Sequence, residues 1–351
     1  MNLKKVILIL VAILIVLLAG FVIFKSGESK KRDLNKIQVV TSNFASYDFL
    51  RAIIGDNDNV ELIFLLGPGK DAHSYEPTSQ DLVTIQNADL FVYVGGEMEQ
   101  WADKVLDSLD TSNTKVICIA DSVDTIEEQD VDGAEDHEHE HEHGDDEDHE
   151  HEDDDEDNDH ENSDDKHEHE HKEGAYDEHI WTSPSNAIKM VNGLEKAMEE
   201  IDGDNAQKYR ENADKYIAQI KDVANQIQEI VDNRVRNRLV FADKMPMQYF
   251  IEYYDLEVSA AFLGCSTETD PSAKTIAYLL DRVKTEKIPV ILYIELNNGK
   301  VARTIAEEVG NGCEAMQIQT VHNVSLDDFN NGETWVSLMT RNLEVLKKAL
   351  Q

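Results

Sequence analysis

The sequence predicts an α/β protein of two lobes, each with a four-stranded, mostly parallel sheet, joined by one long linker helix. Three observations lead to this prediction. Eight short runs rich in β-branched residues alternate with helical patterns, as is typical of parallel sheets. A tract rich in histidine and acidic residues follows the fourth run, and a long helical pattern separates the first four runs from the last four. We expect two cores, with a cleft between them.

The strands of the first lobe are predicted at residues 37–41, 60–65, 90–94 and 115–119, and those of the second lobe at 238–242, 257–262, 289–295 and 314–320. The linker helix is predicted at 205–236, because apolar residues recur there at helical spacing without a proline. The first lobe is therefore expected to comprise residues 37–135 and 173–204. The second lobe is expected at 237–351.

Residues 1–36 are predicted to form an N-terminal membrane anchor and linker. Lysines flank an uninterrupted apolar run at 6–24, which is just long enough to cross a bilayer. The run has no small-x-small exit typical of a cleaved signal peptide. Phe21 stands where a lipidated cysteine would have to be, which excludes lipidation. We expect the bulk of the chain on the extracytoplasmic face of the cell membrane.

Residues 136–172 consist almost entirely of histidine, glutamate and aspartate and hold ten of the chain's 13 histidines. So little apolar surface predicts a disordered loop, and its side chains are ligands for divalent cations such as zinc. A solvated acidic linker is the alternative. The formal net charge of −40 is concentrated around this tract and argues against a nucleic-acid partner.

The three cysteines are odd in number and lack the spacing of a zinc ribbon. Cys118 lies in a predicted strand and is expected to pack as a small hydrophobe. Cys265 follows one predicted strand and Cys313 precedes another, which puts them at opposite edges of a parallel sheet. That placement argues against a disulfide between them, but the sequence alone does not decide whether it forms.

Three histidines outside the tract fall beyond the carboxyl ends of predicted strands, where parallel sheets bind ligands. They are His73, His179 and His322, and Asp243 directly follows the fifth predicted strand. Each lobe thus contributes two side chains to one cleft. Three imidazoles and a carboxylate are a set that tetrahedral zinc accepts.

The motifs that contain these residues resemble the solute-binding proteins of zinc and manganese ABC importers. They are GPGKDAHSYEPTSQD, then Glu99 and Trp101, DEHIWTSPSNA, VFADKMPMQYFIEYYDL and GCSTETDPSAKTIAYLLDRVK. The resemblance covers nearly everything after residue 36. It implies two α/β lobes linked by one rigid helix, a metal ion between them, and the zinc-selective type with a His/acid-rich loop.

The resemblance puts His73 and His179 on the first two ligand positions of the family. The third falls on Lys244, which as a cation cannot ligate, so Asp243 one residue upstream is predicted instead. A three-ligand or water-completed site is the alternative. The fourth position falls at or beside His322, which favours zinc because imidazole suits it better than manganese.

Glu295 ends a predicted strand and is a candidate to hydrogen-bond a ligand imidazole and fix its tautomer. Capping of the following helix is the alternative role. Because imidazoles must lose protons to bind metal, affinity is expected to fall as the pH drops through about 6.5.

The predicted function is that of the extracytoplasmic, high-affinity zinc-binding component of an ABC importer. It is expected to be a monomer without enzymatic activity that delivers Zn(II) to a membrane permease and its ATPase. Alternatives are transport of manganese or another divalent metal, a surface metal sensor or adhesin, and a zinc hydrolase. A hydrolase would use Glu178 as its base, but the chain has no HExxH motif.

Overall fold

The computed structural model describes residues 35–134, 176–266 and 270–351. In these residues the chain forms two four-stranded sheets, with strand orders β2-β1-β3-β4 and β6-β5-β7-β8, and every pairing is parallel. The strands are β1 Ile37–Thr41, β2 Val60–Phe64, β3 Leu90–Tyr93, β4 Lys115–Cys118, β5 Arg238–Met245, β6 Glu257–Leu263, β7 Val290–Ile294 and β8 Glu314–Ile318. The predicted fold class is confirmed.

The helices between the strands and after the last one are α1 Phe44–Ile54, α2 Ser79–Gln86, α3 Gln100–Ser108, α4 Pro184–Ile201, α5 Ala206–Asp232, α6 Gln248–Tyr253, α7 Ala273–Glu286, α8 Lys300–Val309, α9 Leu326–Asn330 and α10 Trp335–Leu350. Short 3₁₀ turns include Ile180–Thr182, just before α4. Helices that alternate with parallel strands return the chain to the same end of the sheet each time. All carboxyl ends of one sheet therefore face the same side.

The fifth strand runs to Met245, three residues further than the sequence predicts. Its pairing with β6 shifts between Phe241 and Lys244, where β5 has one more residue than its neighbour. This irregularity is a β-bulge, which bends a strand and redirects its side chains. Asp243 consequently lies inside β5 and not in a loop after it.

Helix α5 is the predicted linker helix and has 27 residues, a length of about 40 Å. Its buried face includes Tyr209, Tyr216 and Ile220 at helical spacing. The Tyr216 hydroxyl donates to the buried carboxylate of Asp48 in α1, which also accepts the backbone N–H of Trp335 at 2.7 Å. One carboxylate therefore joins α1, α5 and α10.

The two lobes share their main hydrophobic core, contrary to the expectation of two separate cores. One cluster of buried side chains extends from Val39 in β1 through α5 to Leu350 in α10. Two smaller clusters lie on the outer faces of the sheets. The long helix and α10 bury apolar residues against both lobes, so the lobe boundary is not a boundary of the core.

Residues 126–134 cross from the first lobe to the second, and we call them the interlobe strap. Gln129 and Gln248 of α6 are hydrogen-bonded, and Asp132 pairs with Ser259 as an isolated parallel bridge at the edge of β6. The Asp132 carboxylate also accepts from Arg238 at 3.3 Å and from Arg282 at 2.6 Å. The strap thus holds the last described residues before the tract against the second lobe.

The predicted anchor at 6–24 and the tract at 136–172 lie outside the described residues. Among the helices that the structure does describe, none has the length and apolar character to cross a bilayer.

Candidate metal centre

The three predicted histidines meet at the carboxyl ends of the strands, between the lobes. His73 lies in the loop between β2 and α2, His179 precedes the 3₁₀ turn before α4, and His322 lies in the loop between β8 and α9. Each offers a ring nitrogen, and these nitrogens all lie within 4.8 Å of one another. Their ring centroids are 5.0–5.6 Å apart.

The Nε2 atoms of all three rings are buried and have no hydrogen-bond partner among the described residues. A buried polar atom without a partner is costly and rare in native proteins. Three imidazoles with ring nitrogens this close to one another are a ligand set that zinc accepts, at about 2.0–2.1 Å from each nitrogen.

His179 is fully buried and is oriented by Asp177. One oxygen of that carboxylate accepts both the backbone N–H of His179 at 2.7 Å and its Nδ1–H at 3.0 Å. Because Nδ1 carries the proton, the lone pair of the neutral ring is on Nε2, which faces the other histidines. Sequence reasoning missed Asp177, although its place two residues before His179 was a usable signal.

His322 is oriented through its backbone by Glu295. The buried Glu295 carboxylate accepts the N–H of Thr320 at 2.8 Å, the Thr320 hydroxyl at 2.8 Å and the N–H of His322 at 2.9 Å. Between them, Val321 has a φ of 59°, a strained value for a β-branched residue. Glu295 therefore fixes the loop that carries His322; the predicted bond to an imidazole is not formed.

The loop that carries His73 is tied to the loop that carries His322. Gly69 N–H donates to the Val324 carbonyl at 2.8 Å, and the Asn323 side chain donates to the Gly67 carbonyl at 3.2 Å. Within the first loop, Asp71 accepts the backbone N–H of His73 at 3.0 Å. These bonds bring histidines of different lobes together.

Asp243 does not join the three-histidine group. Its Oδ1 accepts the N–H of Lys244 at 2.8 Å and its Oδ2 accepts the N–H of Ile294 at 3.1 Å. Oδ2 thus links β5 to β7, and Oδ1 is used within β5 itself. As a metal ligand Asp243 stays a prediction, and the geometry favours the three-ligand alternative.

The surroundings give the three imidazoles different affinities for protons. Burial, the nearby His179 and the Lys244 charge lower the pKa of His73 to about 4. Burial and neighbouring positive groups lower the pKa of His322 well below its usual value. Burial also disfavours the charged form of His179, but Asp177 and other nearby carboxylates outweigh it and raise its pKa.

Glu178 and Cys265 form a second group with His179 that sequence reasoning did not predict. Cys265 donates its thiol proton to Glu178 at 2.8 Å, and the other Glu178 oxygen accepts the N–H of Met98 at 2.8 Å. Burial raises the pKa of the Cys265 thiol, which favours a protonated, inert cysteine. Cys118, Cys265 and Cys313 are all unpaired, so the bridge left open by the sequence is not formed.

Comparisons with known proteins identify relatives of this chain. The chain is 28% identical over 342 residues to the zinc-binding lipoprotein AdcA of Streptococcus pneumoniae R6, covering 96% of this chain and 60% of that protein. It is 29% identical to the high-affinity zinc uptake system protein ZnuA of Bacillus subtilis, covering 93% and 91% of the two chains. The chain therefore spans less than two thirds of the first relative but most of the second.

Solved structures are similar over both lobes. The Zn(II)-bound ZnuA-like domain of S. pneumoniae AdcA matches with a TM-score of 0.67 at 25% identity, over 90% of this chain and 99% of that chain. The metal-dependent lipoprotein YcdH of B. subtilis matches with a TM-score of 0.69 at 25% identity, over 90% and 100% of the two chains.

The sequence profile described as ZnuA, zinc-uptake complex component A periplasmic, matches residues 39–349. This range includes all three histidines, the helix between the lobes and both sheets except for the first two residues of β1. The chain belongs to that zinc-uptake family.

Proposed function

We propose that this protein is the extracytoplasmic component of an ABC importer that captures Zn(II) and delivers it to a membrane permease. The observation that carries the proposal is that three histidines from two lobes of a zinc-uptake family member bring ring nitrogens within 4.8 Å of one another, and that the Nε2 atom of each ring is buried without a partner among the described residues. The printed names of its relatives, which include zinc-binding and zinc-uptake proteins, support the same cargo.

In this proposal His73, His179 and His322 bind the cargo ion. Three neutral imidazoles favour zinc over manganese, which prefers harder oxygen ligands. Asp177 holds His179 in the tautomer that leaves Nε2 free, and Glu295 fixes the loop of His322. The fourth coordination position is completed by solvent.

The remaining parts of the proposal concern the rest of the chain. Residues 6–24 anchor the protein in the membrane near its permease and ATPase, and residues 136–172 collect cations at low affinity close to the cleft. The protein acts as a monomer.

A zinc hydrolase is the second candidate, because three imidazoles with an open fourth position are also the ligand set of catalytic zinc sites. Hydrolysis needs a free base beside the metal-bound water. Glu178 is held by Met98 and Cys265 through both oxygens, which leaves it poorly suited to that role. Transport is therefore the favoured function.

The test is zinc accumulation by cells that lack the chromosomal copy, grown with a chelator and measured by elemental analysis. Wild-type protein should restore accumulation, and His73→Ala, expressed at the same level, should not. Equal restoration by both proteins would contradict the cleft as the transport site. Ester hydrolysis by the zinc-loaded protein that disappears in His73→Ala would favour the hydrolase.

A further inference from the structure

Lys244 holds a positive charge in the cavity that His322 lines. Its side chain is 10% exposed, and its Nζ lies 3.6 Å from Oδ2 of Asp71 in the His73 loop. Lys244 and His322 line the same cavity of about 440 Å³. The Lys244 charge also contributes to the low pKa of both His73 and His322, which is consistent with a short distance to each ring.

The backbone fixes this placement. Lys244 lies at the bulge of β5, where Phe241 pairs with Ala260 and Lys244 with Phe262. Its N–H donates to Asp243, whose other oxygen is bonded to Ile294 in the adjacent strand. The bulge and these hydrogen bonds fix the backbone from which the Lys244 side chain extends. The fold therefore sets where its ammonium group lies.

The three neutral imidazoles bring no negative charge of their own to a divalent cation. The Asp177 carboxylate behind His179 is a negative neighbour of the candidate metal centre, whereas Lys244 adds a positive charge on the side of Asp71. The nearest counter-charge of Lys244 is Asp71, whose side chain is 48% exposed and partly screened by water. In an enclosed cleft, repulsion between an ammonium and a metal ion is stronger than in bulk water.

We propose that Lys244 sets the metal affinity of the cleft by weakening the binding of Zn(II) and accelerating its release. The inference rests on the proposed function and deepens it: a carrier that must hand its cargo to a permease benefits from an ion that leaves readily. Asp71 limits the repulsion by pairing with the ammonium when the lobes are in contact.

The experiment measures the zinc dissociation constant of the full chain by competition with a chelator. The chelator binds zinc more tightly than the weak sites proposed for residues 136–172, so that only the cleft competes with it. Lys244→Gln should bind zinc at least about tenfold more tightly, equivalent to about 1.4 kcal/mol, with slower dissociation. Lys244→Met keeps a long apolar stem and should tighten binding similarly. Lys244→His should bind at least as tightly as the glutamine variant, because it also adds a lone pair.

Two control variants distinguish an effect of the charge at position 244 from an effect of the net charge of the protein. Lys244→Arg keeps the cation and should remain within about threefold of wild type, given the modest change in geometry. Lys70→Gln removes an exposed charge of the same sign from the same cavity wall and should change affinity by no more than about twofold, because water screens it. Thermal melting without metal checks that each variant folds.

Unchanged or weaker binding by both Lys244→Gln and Lys244→Met would overturn the inference, as would an equal gain in Lys70→Gln. These outcomes leave the proposed function intact as long as wild type binds zinc and His73→Ala does not. Zinc binding that is insensitive to His73→Ala would instead remove the proposed function and the inference together.

Discussion

The three histidines of the cleft are the same residue type in three different electrostatic settings. His73 and His322 have lowered pKa values and stay neutral well below neutral pH. His179 has a raised pKa because Asp177 and its neighbours favour the charged ring. Competition between protons and metal therefore falls mainly on one imidazole.

Zinc affinity should consequently decline with about one proton per ion as the pH falls through the raised pKa of His179, and more steeply near pH 4, where His73 also titrates. Asp177→Asn keeps an acceptor for Nδ1–H but removes the charge that raises the pKa. Chelator competition at a series of pH values should give a flatter curve for this variant. The same slope in wild type and Asp177→Asn would contradict the role given to Asp177.

The sequence was sufficient to select His73, His179 and His322, because each follows a strand whose pattern is readable. It was not sufficient for their neighbours. Whether Asp243 reaches the cleft depends on a one-residue bulge, and no pattern of apolar residues reveals an extra residue in a strand. The pairing of Glu178 with Cys265 joins positions 87 residues apart, which spacing alone cannot predict.

At the scale of elements, the loop between β8 and α9 determines where His322 lies. Glu295 at the end of β7 accepts three hydrogen bonds from Thr320 and His322, and Val321 between them adopts a left-handed conformation. The loop keeps this strained shape because the carboxylate compensates it. The Glu295 carboxylate forms no ion pair within the part of the chain that the structure describes, and its burial is explained by the backbone groups that it binds.

Glu295→Gln should destabilise the protein by about 1–3 kcal/mol, since the amide cannot accept as many backbone donors and leaves a buried group unsatisfied. It should also weaken zinc binding by loosening His322. Denaturant unfolding and chelator competition measure the two effects. Glu314→Gln is the matched control on β8: its surface ion pair with Lys348 contributes no more than about 1 kcal/mol. If Glu314→Gln lost as much stability and zinc affinity as Glu295→Gln, the structural role given to Glu295 would be contradicted.

At the scale of the whole molecule, both sheets and the long helix were predictable because strand and helix periodicities are local properties. The shared core was not, because it depends on how α5 and α10 pack against both lobes. Residues such as Tyr216 and Trp335 read as ordinary apolar positions in the sequence. In the structure both residues donate a hydrogen bond to Asp48, and this shared contact links α5 and α10 to α1.

The tract and the cleft should contribute separately to metal binding. Deleting residues 136–172 should leave the tight site within about threefold of wild type and remove the additional weak ions, because the three ring nitrogens that meet in the cleft belong to His73, His179 and His322, which lie outside the tract in sequence. Titration calorimetry should show the stoichiometry fall to one. His73→Ala should have the reverse effect, and equal loss of tight binding in both variants would contradict the separation.

The interlobe strap has a mechanical consequence. The polypeptide passes from the first lobe to the edge of β6 before it returns to His179 and enters α5. The lobes are therefore connected through the strap as well as through α5, and we expect this second connection to limit how far they can separate. We therefore expect metal exchange to require only small movements of the loops that carry His73 and His322.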